Sequence, residues 1–124
     1  MVELAIVLPI LLGLLFAVAE FSLMFLNYQT VASAAREGAR SASLFRPNCA
    51  ANVTGEVNQV VSTVLTSSGL PATVPQINGA CAVPGLSSVT VTVNYDFQFV
   101  PGFITNLGLN RLALTATSVM QNES

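Results

Sequence analysis

The chain has 124 residues, of which 52% are hydrophobic and only 8% charged, with a net charge of −2 and neither histidine nor lysine. Nucleic acid needs a basic face, which this balance does not supply. The lack of histidine removes Ser-His-Asp and Cys-His nucleophile systems and imidazole metal sites.

The N-terminal stretch dominates. From Leu4 to Ala19 no side chain is charged, Glu20 interrupts the run, and Phe21 to Leu26 resumes it. A bilayer core about 30 Å thick takes about 20 apolar residues as helix. Residues 1–26 therefore predict a helix that spans a membrane or forms the dry core of a helical assembly, because both surroundings accept a helix that is apolar all round. Glu3 sits in the first turn, where the helix dipole favours an acid. Pro9 removes a backbone hydrogen bond and, with Gly13, loosens the helix locally; the plainer reading is the ordinary tolerance of membrane helices for proline. Glu20 costs roughly 2.5–3.5 kcal/mol in lipid, which predicts either a partner or a place at the interface near the end of a tilted span. Phe16, Phe21, Phe25 and Tyr28 read as hydrophobic packing, since no haem motif, histidine or metal site accompanies them to carry electrons.

Residues 27–124 predict the second half of the helix plus a folded head. Val31, Ala35, Gly38 and Ala42 recur at i, i+4, i+7 and i+11 on one narrow face of small residues, which lets another backbone approach closely. Arg36, Glu37 and Arg40 sit off that face, with Glu37 and Arg40 spaced to pair at i+3. The two halves make one helix of about 60 Å, stopped by Pro47 and Asn48. Val53, Val57, Val60, Val61, Val64 and Leu65 predict a second, shorter amphipathic helix that Gly69 and Pro71 end. Residues 69–87 read as loop, with a short strand around Thr73 to Asn78. Residues 70–86 are the expected outward surface.

Ser88 to Phe99 alternates without a break: Val89, Val91, Val93, Tyr95, Phe97 and Phe99 on one side, Ser, Thr, Asn, Asp and Gln on the other. That is a half-buried strand. Pro101-Gly102 turns it, Phe103 to Leu109 is an apolar connector, and Arg111 to Gln121 is a further strand with Leu112, Leu114, Ala116 and Met120 inward. The fold class is α+β: a small antiparallel sheet packed on the second half of the long helix, with one further short helix. Cys49 and Cys81 lie beyond the apolar segment. On the non-cytoplasmic side a disulfide is the natural reading, stabilising by about 3–4 kcal/mol in the chain-entropy model; two unpaired thiols are the alternative.

The run Val2-Glu3-Leu4-Ala5-Ile6-Val7-Leu8-Pro9, then Glu20-Phe21, then Ala34-Ala35-Arg36-Glu37-Gly38-Ala39-Arg40 resembles the TadE-like proteins of the tight-adherence pilus system. The resemblance is dense over residues 2–42 and looser over the head. It implies a type IV pilin-like fold and life cycle: a prepilin peptidase removes a leader, the subunit waits in the inner membrane among lipid, and an assembly platform there extracts it into a filament of copies of itself. Glu3 resembles the near-N-terminal glutamate that pairs with a neighbour's terminal amine. That acid usually stands fifth in the mature chain, and here it is third, which implies either a shifted spacing or sequence upstream.

Within this reading the chain is either the repeating subunit of an extracellular filament or a minor or priming pilin. The low-charge, Ser/Thr-rich head favours the first. TadE-like proteins usually accompany a much smaller major pilin, which favours the second. A periplasmic binding module on a membrane tether is the third possibility. An enzyme is not expected: Glu37, Glu56, Asp96 and Glu123 are scattered, with no carboxylate pair, Ca²⁺ loop or phosphate-cradling glycine motif. No catalytic residue, cofactor or metal is expected. The assembly candidates are Glu3, Pro9, Glu20, Arg36, Glu37 and Arg40.

Overall fold

A computed structural model describes residues 2–43, 49–78, 88–98, 108 and 111–121. The elements are α1 (Val2–Ser43), α2 (Cys49–Ser67), β1 (Gln76–Asn78), β2 (Ser88–Gln98) and β3 (Arg111–Gln121). At 1.5 Å per residue α1 is about 63 Å long. It runs through Pro9 and Gly13 without a break, and crosses from the apolar to the amphipathic half at Leu26 equally smoothly. The three strands form one antiparallel sheet in the order β1-β2-β3.

The core is where α1, α2 and the sheet meet. From α1 come Val31, Ala34, Ala35, Ala39 and Ala42, all buried, together with Gly38. From α2 come Val53, Val57, Val61 and Leu65, one per turn on a single stripe, with Val64 packed at its flank. The sheet supplies Val89, Val91, Val93, Phe97, Leu114 and Ala116. The small residues on α1 have a direct purpose: a Cβ at Gly38 would lie 2.8 Å from Val61 Cγ2, 3.3 Å from Val91 Cγ1 and 3.4 Å from Val57 Cγ1. Helix, helix and strand all close on that one point.

The chain leaves α2 through a left-handed Gly69 (φ 77°). Leu70 N–H donates to Leu65 O at 2.9 Å and Gly69 N–H to Thr66 O at 3.0 Å, which satisfies carbonyls the helix end would orphan. Leu70 then folds back into the core.

Strand β2 pairs with β3 in an unbroken register from Ser88↔Gln121 to Gln98↔Arg111. The expected alternation holds, with Val89, Val91, Val93 and Phe97 buried and Tyr95 half-buried. Two expectations are corrected. Among the described residues the first strand begins at Gln76, not at Thr73, because Pro75 has no N–H to offer a ladder. Leu112, expected inward, is 41% exposed, since it stands at the beginning of a strand that, among the described residues, is flanked on one side only. The side chains of Cys49 and Cys81, the Pro101-Gly102 turn and the Phe103–Leu109 connector lie outside the described residues, apart from Gly108, which is in a turn.

Candidate functional site

Residues 2–26 of α1 project from the head with almost nothing packed against them. The most apolar 18-residue window of α1 has a mean hydropathy of 2.6 and is 0% buried. Val2, Leu4, Ile6, Ile10, Phe16 and Phe21 are each about two-thirds exposed or more. This helix is long and apolar enough to cross a membrane. Its polar atoms are managed internally. Ser22 Oγ donates to Val18 O at 2.8 Å and Thr30 Oγ1 to Leu26 O at 3.1 Å, so both hydroxyls spend their protons on the preceding turn and ask nothing of the surroundings.

Glu20 is the exception. It is 8% exposed, and its Oε2 is buried without a hydrogen-bond partner. The adjacent Ala19 and Phe21 are both exposed. The reason is rotational. Glu20 and Gly38 are 18 residues apart, about five turns of 3.6, so they project to the same side. Met24, Asn27 and Val31 fill the stripe between them, half-buried and then buried. Glu20 therefore continues the head-facing row down into the apolar half.

Arg36, Glu37 and Arg40 lie away from the head, all exposed. The expected Glu37–Arg40 pair is not formed: neither residue has an ion pair among the described residues. Holding two long exposed side chains in one geometry costs about what the Coulomb attraction returns in water. Glu3 stands exposed in the first turn and Arg40 in the last, both in the sense the helix dipole favours. The candidates thus fall on different sides: Glu20 faces the head, while the two arginines face away from it and Glu3 lies at the far end. Beside Arg36 is a groove, also lined by Phe25, Tyr28, Gln29, Ala32 and Ser33, that the spacing of charges did not reveal.

The outer face of the sheet is polar and nearly uncharged. Thr92 and Thr117 hydroxyls meet at 3.2 Å, and Thr115 Oγ1 donates to Asn94 Oδ1 at 3.0 Å. Among the described residues no group of three carboxylate or thiol side chains converges on a point where a metal would sit.

Residues 1–40 match the family model for TadE-like protein, which is consistent with a TadE-like protein of the tight-adherence pilus system. The matched family is of a structural, non-enzymatic kind. No curated protein and no solved structure matches the chain. The long apolar helix, one further helix and three-stranded antiparallel sheet form an α+β layout like that of a type IV pilin. Helix and family match together point to membrane association.

Proposed function

We propose that this chain is a structural pilin subunit that assembles through residues 2–26 of α1 into an extracellular Tad-type filament of copies of itself. The supporting observation is the largely exposed apolar half of a helix whose other half is locked into a folded head. Such a rod has two possible surroundings, lipid before assembly and other rods afterwards. In this reading a prepilin peptidase and an inner-membrane assembly platform handle the subunit, and the near-uncharged sheet face serves lateral contact between heads. Glu3, the exposed acid of the apolar half, is the group that a neighbour's ammonium would pair with in a dry core. Pro9 supplies a turn with one hydrogen bond fewer, where the helix can stretch as rods pack. The match over residues 1–40 also favours a second reading, a minor or priming pilin.

Electron microscopy of surface-sheared, detergent-free material, with the intact mass of its main protein, tests both. Filaments built mainly of this chain support the repeating subunit. Filaments dominated by another protein, with this one in trace, assign the minor role. Recovery only in detergent extracts, with no filaments, overturns both in favour of a tethered module.

A further inference from the structure

The groove beside Arg36 has a volume of about 430 Å³. Its polarity is graded along the helix. Phe25 and the Tyr28 ring stand at the end nearest the apolar half, Gln29, Ala32 and Ser33 in the middle, and Arg36 at the far end. Its height matches a membrane feature. The apolar run ends at Leu26, and at 1.5 Å per residue Tyr28 to Ser33 rise about 3–10 Å above it. The headgroup layer on each side of a bilayer is roughly 5–7 Å thick. With residues 2–26 in the hydrocarbon, the lower part of the groove lies in that layer, and the Arg36 backbone stands about 15 Å above Leu26, beyond its outer edge. Helical side chains lean toward the N-terminus, so Arg36 reaches down over the groove.

The charges are uncompensated. Arg36 and Arg40 are one turn apart on the side away from the head, both exposed, and neither has an ion pair among the described residues. Like charges at i, i+4 repel each other. Glu37 lies about 100° round the helix from Arg36 and does not line the groove. A second groove, lined by Leu26, Gln29, Thr30, Ser33, Val64 and Ser68, flanks the same Gln29–Ser33 ridge at the same height and has no cation.

We propose that the Arg36 groove seats the headgroup of an anionic phospholipid. The phosphate accepts hydrogen bonds from the Arg36 guanidinium, Arg40 adds attraction from the turn above, and the glycerol and upper acyl chain lie against Tyr28 and Phe25. The cation-free groove on the other side takes lipid without preference for charge. This rests on the apolar half lying in a bilayer and not on filament assembly, so it stands or falls separately from the pilin reading.

The test uses the full chain in nanodiscs of equal phosphatidylglycerol and phosphatidylcholine, released into a native mass spectrometer to count retained lipids. The wild-type chain retains phosphatidylglycerol in preference, by roughly five-fold per arginine engaged. Arg36→Gln inserts normally and loses most of that preference, whereas Arg111→Gln, on the sheet, keeps it. Three results would each overturn the proposal: equal retention of both lipids by the wild-type chain, equal loss in Arg111→Gln, or loss of the preference when inorganic phosphate is added. A photoreactive residue replacing Ser33 is expected to crosslink to lipid in the same nanodiscs. Crosslinking to a second copy instead would mean that another chain fills the groove, and would also overturn it.

Discussion

Gly38 and Val61 approach so closely that a single methyl group would not fit between them: a Cβ on Gly38 would stand 2.8 Å from Val61 Cγ2. The contact sits at the middle of the seam between α1 and α2, with Val91 of β2 closing the third side. Gly38→Ala should therefore destabilise the head by about 1–3 kcal/mol, through forced repacking, despite the better helix propensity of alanine. Gly55→Ala is the matched control. Nothing lies within 4 Å of its added Cβ, so it should be neutral or stabilise by up to about 1 kcal/mol. Denaturant unfolding in detergent, followed by circular dichroism, reads both.

Leu65 is fully buried on the last turns of α2. Leu65→Ala should cost about 2–5 kcal/mol by opening a cavity that the close-packed seam cannot fill. An equal loss is not expected for Val74→Ala, because Val74 is 80% exposed. A Val74 variant as damaging as the Leu65 variant would place Val74 in the core beside Leu65.

Glu3→Ala should leave the chain membrane-inserted and its head folded, since the change removes a charge from the apolar half and Glu3 lies at the end of α1 far from the head. The yield of sheared filaments should fall sharply. Normal yield would remove Glu3 from the assembly contact while leaving the rest of the pilin reading intact.

Glu20→Leu separates the two surroundings of α1. Removing a buried, unpartnered carboxylate should ease insertion by roughly 2.5–3.5 kcal/mol, read as a shift in the inserted fraction of a translocation assay. If Glu20 finds its partner only between subunits, filament yield should drop in the same variant. A variant that inserts better and assembles as well as the wild-type chain would leave Glu20 without an assembly role.

The cysteine expectation is checked by mass. Intact protein kept from reductant should weigh two hydrogens less than the reduced chain. Reduction should then lower head stability by about 3–4 kcal/mol, as the chain-entropy model gives for a loop of this length.

Much of this architecture is legible in the sequence because its periods are clean. The stripe of Val53, Val57, Val61 and Leu65 admits only a helix, and the alternation from Val89 to Phe97 only a strand. The small-residue face through Val31, Ala35, Gly38 and Ala42 names the side of α1 that meets the head, and all four are buried. What escaped depends on neighbours distant in sequence. The orientation of Glu20 follows from counting about five turns back from Gly38, yet its burial requires shielding that reaches below Leu26. The Arg36 groove joins side chains spread over three turns, and residue spacing says nothing of concavity. The Glu37–Arg40 pair failed for a different reason: spacing permits it, and water makes it worth too little to hold.

The absence of any linker within α1 has a mechanical consequence. Residues 31–43 belong at once to the rod and to the core of the head, so tension on the apolar end does not first extend a slack tether. It arrives along the helix axis at the rows of contacts with α2 and with the sheet and must shear them together, instead of opening them one residue at a time. A subunit built this way transmits load as a stiff peg, and its point of yield should be the α1–α2 seam around Gly38.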